Sequence, residues 1–242
     1  MGESMNRRDW LRAMGVSSVA AGLGAVSPKR ARAWQPGESS GFQRSVIKQR
    51  EIQANRASPS LIDGKVLQPA RQLAVLHTTD VLVVGGGPAG ICAAIAAKRA
   101  GADVTIVERY GHFGGLWTGG LVLLVIGHIV KGGKQVCQGI GEEMMRRMDK
   151  MDGAIVDRRP GVAPTIDAEA VKYLMVEMIE EAGVKVLLHC WGVDAIVTGQ
   201  QVQGAVFESK SGRQAILAKN VIDATGDGDL FAAAGAAYDR RS

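Results

Sequence analysis

Cysteine and histidine are both scarce in this chain, and their positions exclude several kinds of site. The 242 residues contain three cysteines and four histidines. Cys92, Cys137 and Cys190 are far apart and form no CxxC pair, so neither a redox dithiol nor a zinc site is predicted. All three stand among apolar neighbours, which is typical of buried free thiols. No metal centre is therefore expected.

The surplus of positive charge is small once it is located along the sequence. The formal net charge is +5, but residues 1–33 hold six Lys and Arg against two Asp and Glu. The rest of the chain holds 23 basic residues against 22 acidic ones, with no basic stripe interleaved with aromatics. Nucleic-acid binding is therefore not predicted.

Long apolar runs are also missing, and the one mild run lies near the start. Residues 13–26 are too few for an ordinary membrane span. They follow the paired Arg7 and Arg8 and precede the small-x-small site Ala31-Arg32-Ala33. This order predicts an export signal of the twin-arginine type over residues 1–33, with a periplasmic or cell-envelope destination. An amphipathic helix of the folded domain is the alternative. Membrane contact is expected only through an uncleaved signal.

Twin-arginine transport carries proteins that are already folded, so a cofactor is expected to be inserted before export. Residues 34–72 are polar and aperiodic, which predicts a linker with one possible short helix between Ser45 and Asn55. A single domain is predicted over residues 73–242, opening with an extended segment at 73–76.

A nucleotide-binding unit is predicted directly after this segment. Val81–Val84 is a continuous apolar run, as in a strand buried on both faces of a parallel sheet. The turn Gly85-Gly86-Gly87-Pro88-Ala89-Gly90 follows, and Ile91–Ala100 is predicted to be a helix. Asp103–Val107 is predicted to be the next strand, and it ends at Glu108. The G-x-G-x-x-G spacing, with an acidic residue about 20 positions later, indicates dinucleotide binding.

Each part of this unit has a physical role. Gly85 permits the tight turn, Gly87 lets the backbone approach a pyrophosphate, and Gly90 lets the helix pack on the strand. The N-terminal amides and dipole of that helix favour phosphate. Pro88 and Ala89, which precede it in the turn, are assigned to the same cofactor site. The Glu108 carboxylate can accept hydrogen bonds from a ribose and would repel a 2′-phosphate, so NADP is disfavoured. Arg109 is assigned to the same site. A glycine-rich turn with an empty site is the alternative.

From Asp80 onward the chain resembles FAD-dependent oxidoreductases of the glutathione-reductase-like superfamily, near the fumarate-reductase type. Three segments carry the resemblance, which extends over roughly 73–238. They are Gly85–Gly90, Gly114–Gly120 and Val221–Leu230. The resemblance implies an α/β fold: a Rossmann-type FAD-binding domain with a parallel sheet, flanking helices and a small antiparallel β layer.

The same resemblance implies further contacts with FAD. Gly114, Gly115 and Thr118 match the stretch that runs beside the pyrophosphate and ribityl chain toward the flavin ring. The main chain near Val193 would meet the adenine. His112 does not match the spacing of relatives that attach FAD to histidine, so it is expected to face solvent or to pack within its loop.

The third segment, Val221–Leu230, is expected to pass close to the nucleotide. Thr225, Gly226 and Asp227 are the residues assigned to this contact by the resemblance. Capping of the following helix by Asp227 and Asp229 is the more economical interpretation of those two side chains.

The remaining sequence predicts alternating helices and strands. Ile166–Ala182 is predicted as an amphipathic helix that stops at Gly183. Its apolar face comprises Val171, Leu174, Met175, Met178 and Ile179. The other predicted elements are a helix at Gly139–Lys150 and strands at Val184–His189, Trp191–Thr198, Val202–Ser209, Gln214–Ala218 and Asn220–Asp223. Lys210-Ser211-Gly212 predicts a hairpin turn.

The predicted function is that of the FAD-binding portion of a flavin-dependent oxidoreductase. Hydride would pass from an organic substrate to FAD. No catalytic acid or base is identified. Relatives continue past residue 242 into a substrate domain, so a truncated product or one subunit of a split enzyme is expected. The alternatives are a non-catalytic nucleotide-binding module and a protein that binds NAD rather than FAD.

Overall fold

The computed structural model describes residues 58–126, 136–157 and 163–239. The predicted export signal and the possible helix at 45–55 lie outside these residues. The helices are α1 (Pro88–Arg99), α2 (Ile140–Met148), α3 (Ala168–Ala182) and α4 (Asp229–Ala233), and Gly115–Trp117 is a 3₁₀ turn. The strands are β1 (Ser60–Ile62), β2 (Lys65–Leu67), β3 (Ala74–Val84), β4 (Val104–Val107), β5 (Ile155–Asp157), β6 (Thr165–Ile166), β7 (Lys185–Leu187), β8 (Trp191–Thr198), β9 (Gln201–Ser209) and β10 (Gly212–Asp223).

Six of these strands form one mixed sheet in the order β7-β4-β3-β10-β9-β8. Strands β7, β4, β3 and β10 are parallel to one another. Strand β9 pairs antiparallel with both β10 and β8. β1 with β2, and β5 with β6, form two small antiparallel pairs. The α/β class with a parallel sheet, flanking helices and antiparallel strands is thus confirmed.

The long strands β3 and β10 differ from the sequence prediction. The segment at 73–76 and the strand Val81–Val84 are one continuous strand, β3. Gln214–Ala218 and Asn220–Asp223 are likewise one strand, β10. These two strands pair along almost their whole length. Polar residues such as Thr78 are paired in this ladder, so the strand continues through them. The residue pattern alone suggested a break at these polar positions.

Helices α2 and α3 cover one face of the sheet. α3 buries all five residues of its predicted apolar face. It begins at Ala168 rather than Ile166, because the Asp167 carboxylate caps it by accepting a hydrogen bond from the Ala170 N–H (2.8 Å). Ile166 instead pairs in β6. α2 buries Met144, Met145 and Met148 in the same apolar cluster.

The opposite face is covered by the antiparallel strands. A second apolar cluster joins Leu82 and Val84 of β3 to Phe207 of β9 and Ile216 of β10. Gly192 of β8 packs so closely on β3 that an added Cβ would lie 2.6 Å from Cγ1 of Val84. These strands are three places apart in the sheet order, so the sheet curls over its own end and the antiparallel strands form a layer.

A short hairpin occupies part of the predicted linker. Asp63 and Gly64 have φ of 50° and 73°, which suits the two-residue turns that join hairpin strands. The flanking residues Leu61 and Val66 are exposed. The Asp-Gly pair between two short apolar runs was a signal for this hairpin in the sequence.

The cysteines do not all match the prediction of buried thiols. Cys190 is buried and Cys92 is half-buried, but Cys137 is exposed because its segment lies on the surface ahead of α2. Among the described residues, no helix has the length and apolar character that crossing a membrane requires.

Candidate functional site

The glycine-rich turn after β3 is built by close backbone packing. Gly85 has φ of 106°, and a Cβ added to it would lie 2.1 Å from the Ala224 carbonyl oxygen. A Cβ added to Gly90 would lie 1.9 Å from the Gly85 carbonyl oxygen. Both positions therefore exclude a side chain, and the turn closes tightly on the segment that follows β10. This agrees with the roles that the spacing predicts for the two residues.

Gly87 differs, because a Cβ added to it would meet no atom within 4 Å. It is the N-cap of α1, with φ −69° and ψ 179°, values that any residue can adopt. No side chain caps this helix, and no acidic residue lies in its first turn. The first amides of a helix lack partners within the helix, so α1 offers donors and a positive dipole end beside open space.

Glu108 lies at the carboxyl end of β4 and is held by the backbone around it. It is 6% exposed. The Gly86 N–H donates to its Oε2 (2.6 Å), and the Tyr110 N–H donates to its Oε1 (2.7 Å). These bonds fix the carboxylate beside the glycine turn. Each oxygen can accept a further hydrogen bond.

The residues after Glu108 form a small aromatic group. Tyr110 and His112 stack with ring centroids 5.6 Å apart and an interplanar angle of 6°. The Arg109 guanidinium lies 4.6 Å from the Tyr110 ring centroid and donates to its hydroxyl. His112 Nδ1 lies 3.1 Å from the Phe113 carbonyl oxygen, so this histidine packs within its loop as expected. Arg109 is exposed next to the buried carboxylate.

The loop with the paired glycines lies directly on the nucleotide turn. The Gly114 N–H donates to the Gly86 carbonyl (2.8 Å), and a Cβ on Gly115 would lie 3.2 Å from Gly87 Cα. Thr118 is fully buried, and its hydroxyl donates to the Phe113 carbonyl (2.7 Å). Thr118 therefore holds the loop in shape, and a direct bond from its hydroxyl to a cofactor stays a prediction.

The segment after β10 is organised by Asp223. Its Oδ1 accepts hydrogen bonds from the Thr225 N–H (3.0 Å) and hydroxyl (2.7 Å), and its Oδ2 accepts from the Phe231 N–H (2.8 Å). The Thr225 hydroxyl accepts from the Asp229 N–H (2.9 Å). The proposed capping of α4 by Asp227 and Asp229 is therefore wrong.

The N-cap of α4 is Gly228, and Asp223 and Thr225 take over the capping role. They can do so because the tight turn after β10 folds these two residues back over the first turn of α4. Gly226 and Asp227 are left exposed at this turn.

The chain from Cys190 to Val193 crosses the carboxyl ends of the parallel strands. The Cys190 N–H donates to the Glu108 carbonyl (2.9 Å), and Gly192 packs on Val84. The pairing of β8 with β9 shifts register between Gly192 and Asp194, so Val193 lies at a bulge. A bulge leaves the extra residue unpaired in the ladder, which frees main-chain groups at the predicted adenine position.

Several residues of this arrangement were not singled out in the sequence. Gly86 donates to Glu108 and makes room for Phe113, since a Cβ on it would lie 2.5 Å from the Phe113 ring. Asp223 accepts the hydrogen bonds that organise the segment after β10. Both residues are visible in the sequence, Gly86 as the middle of three consecutive glycines and Asp223 as the acid before Thr225, but only the folded contacts reveal what each bonds.

The arrangement is that of a dinucleotide-binding α/β domain, and comparison with known proteins identifies the family. The family model described as FAD dependent oxidoreductase matches residues 80–240. The chain therefore belongs to the FAD-dependent oxidoreductase family, whose cofactor is FAD.

The chain is also similar to individual proteins. It is 31% identical over 160 residues to thiamine thiazole synthase of Methanococcus vannielii, covering 62% of this chain and 57% of that protein. It is 37% identical over 109 residues to digoxin reductase of Eggerthella lenta, covering 43% of this chain and 16% of that protein.

Among solved structures, it is similar to the open conformation of a flavocytochrome c3 fumarate reductase. The identity is 21% and the TM-score 0.46, with 62% of this chain and 34% of that chain covered. The chain spans a little over half the length of the Methanococcus thiamine thiazole synthases it matches.

The residues present fit FAD. The space beside Gly87, at the N-terminus of α1, is open, and we refer to it as the cradle. The other two glycines of the motif, Gly85 and Gly90, are packed against backbone atoms. An uncapped helix N-terminus at one end suits a pyrophosphate, and a buried carboxylate with free acceptor sites at the other suits ribose hydroxyls.

Proposed function

We propose that the protein binds FAD across the carboxyl ends of β3, β4 and β10 and serves in an oxidoreductase that oxidises an organic substrate. FAD supplies two-electron chemistry when bound, by accepting a hydride. The open cradle at Gly87, beside an uncapped helix N-terminus, is the observation that best supports this proposal. The role of the protein is to bind, orient and tune the cofactor.

The pyrophosphate is assigned to the N-terminus of α1. The amides of Ala89 and Gly90 point out of the first helical turn and donate to phosphate oxygens, while Pro88 has no N–H to lose. Gly87 contributes space rather than a bond. The segment at Thr225, Gly226 and Asp227 borders the same cradle, because Ala224 packs on Gly85.

The adenosine half is assigned to Glu108 and Val193. Glu108 accepts hydrogen bonds from the ribose hydroxyls while the backbone amides of Gly86 and Tyr110 hold it in place. Its negative charge in a buried position opposes a 2′-phosphate, which disfavours NADP. The unpaired main chain at the Val193 bulge is the contact for the adenine edge.

The substitution Gly87→Ala tests the proposal, since the backbone there accepts alanine and the methyl group would enter only the cradle. We expect the variant to melt at the wild-type temperature and to bind FAD and ADP about 10- to 100-fold more weakly, as for overpacking a site by one methyl group. Calorimetric titration of apoprotein with both nucleotides, next to a thermal melt, provides the measurement. Wild-type affinity in a folded Gly87→Ala variant contradicts the assignment.

The oxidoreductase activity needs a separate experiment. The loaded protein is mixed anaerobically with candidate alcohols, amines and reduced dinucleotides, and bleaching of the visible flavin absorbance is followed. Bleaching by one class of donor identifies the substrate class. A loaded protein that no donor reduces, but that dithionite does, is a nucleotide-binding module without chemistry of its own.

We further propose that the protein is exported after loading. Arg7 and Arg8, the mild apolar run at 13–26 and the site at Ala31 to Ala33 support this proposal. Replacing both arginines by lysine in the full chain should keep the protein in the cytoplasmic fraction with its flavin. Export of the lysine variant at the wild-type level would exclude the twin-arginine route.

A further inference from the structure

Folding brings two of the three cysteines together although they are far apart in the sequence. Cys92 lies in α1 and is half-buried, and Cys137 lies in the exposed segment ahead of α2. Ile140, at the start of α2, packs against the same apolar cluster as Cys92. An ion pair between Arg99 Nη1 and Glu143 Oε2 (2.7 Å) joins the same two helices. The segment that carries Cys137 is thereby held beside α1.

The acidity of the Cys92 thiol depends on Cys137. Burial raises the pKa of Cys92, and the nearby Cys137 thiol raises it further, because two thiolates would repel each other. Cys190 lies in the other apolar cluster, where its thiol donates to the Leu188 carbonyl (3.3 Å). Burial alone raises the pKa of Cys190, to about 11. Cys92 and Cys137 are therefore the two cysteines that the fold places within reach of each other.

A covalent link between these two residues would enclose much of the nucleotide site. We propose that Cys92 and Cys137 form a disulfide once the protein reaches an oxidising compartment, and that this bond retains the bound cofactor. The second part rests on the proposed function, and the compartment rests on the proposed export, since disulfides persist in the periplasm and are rare in the cytosol. The bond closes residues 92–137 into one ring, which contains Glu108 and the loop Gly114–Gly120. Such a ring restricts the local unfolding through which a cofactor escapes.

The bond forms by thiol–disulfide exchange, with an external disulfide as the oxidant. The exposed Cys137 thiolate attacks one sulfur of that disulfide, which gives a mixed disulfide and releases one thiol of the oxidant. The Cys137 charge that raised the pKa of Cys92 is then gone, so the Cys92 thiolate forms more readily and attacks the Cys137 sulfur. This second step releases the other thiol. Two protons and two electrons have passed from the cysteine pair to the oxidant.

The test oxidises the purified full-length protein with glutathione disulfide and maps its peptides without reduction. We expect a linked pair of tryptic peptides that joins Cys92 to Cys137, while Cys190 is still labelled by maleimide after denaturation. The oxidised protein should melt about 5–10 °C above the reduced protein, because the closed ring restricts the unfolded chain. It should also lose FAD roughly tenfold more slowly on dilution, followed by the rise in flavin fluorescence.

Two cysteine variants and one signal variant serve as controls. Cys137→Ser removes an exposed thiol and should abolish the linked peptides, the rise in melting temperature and the slower loss of FAD. Cys190→Ala is the matched control, in which all three effects should remain. Wild type recovered from the periplasm should carry the disulfide, whereas the variant with Arg7 and Arg8 replaced by lysine should keep both thiols in the cytoplasm. Reduced thiols in the periplasmic protein overturn the proposal that the bond forms there.

The outcomes separate this proposal from the proposed function. A protein that binds FAD but keeps all three thiols after oxidation overturns the disulfide, as does a link between the Cys137 residues of two chains. A disulfide that leaves the rate of FAD loss unchanged overturns its role in retention. A protein that forms the disulfide but binds no FAD overturns the proposed function instead.

Discussion

Gly90→Ala offers the sharpest test of how the nucleotide turn is packed, because two opposing effects can be weighed. Alanine is favoured over glycine inside a helix by about 1 kcal/mol. Its Cβ, however, would lie 1.9 Å from the Gly85 carbonyl oxygen, an atom of the main chain that cannot rotate away. Overpacking a core typically costs about 1–3 kcal/mol, and a backbone obstacle places this case at the upper end. We therefore expect a net destabilisation of about 2 kcal/mol.

Gly141→Ala is the matched control for this experiment. Gly141 lies in the first turn of α2, and a Cβ on it meets nothing within 4 Å. The same substitution should stabilise the protein there by about 0.5–1 kcal/mol. Thermal melts followed by circular dichroism should show Gly90→Ala about 4–8 °C below wild type and Gly141→Ala slightly above it. A Gly90→Ala variant that melts at or above wild type would refute the close packing described for this turn.

Three further predictions follow from the hydrogen bonds and burial. Asp223→Asn should lower the free energy of unfolding by about 1–3 kcal/mol in denaturant titrations, since an amide N–H₂ would then face a backbone donor; an unchanged midpoint would contradict this role of Asp223. The Arg99 guanidinium holds the pKa of Glu143 at about 2, against an ordinary 4.5, so its stabilisation is present above pH 4.5 and is lost toward pH 2. Glu143→Gln should accordingly melt below wild type at neutral pH, and this difference in melting temperature should shrink as the pH falls from 4.5 to 2. A difference that does not change with pH over this range would contradict the role of the ion pair. Burial raises the pKa of Cys190 to about 11, so a maleimide at about pH 8 should label Cys137 first, as peptide mass spectrometry would show.

The nucleotide turn could be predicted from the sequence because its information is local. An apolar run, three spaced glycines and an acid at the end of the next strand are all contiguous, and each has one structural meaning. α3 was predictable for the same reason, since its apolar face repeats with helical spacing and Gly183 ends it. Its predicted start at Ile166 was wrong, because the Asp167 cap begins the helix at Ala168.

The lengths of β3 and β10 could not be predicted, because they depend on pairing between distant segments. Thr78 is polar and suggests a break, yet it pairs with Leu217 in the ladder between β3 and β10. The bonds made by Asp223 and Thr118 were hidden for a related reason. A carboxylate or hydroxyl near a glycine can bind a ligand or its own chain, and only the folded geometry decides which.

The pairing of β3 with β10 has a consequence for when the site comes into being. Val84 pairs with Asp223, and Ala224 packs against Gly85. One side of the nucleotide site is therefore made by residues that are synthesised long after the glycine turn on the other side. Contacts of such sequence separation form late in folding. The newborn chain thus carries its glycine turn without a finished pocket through most of its synthesis. Binding of the flavin in the finished pocket therefore requires that β10 has already paired with β3.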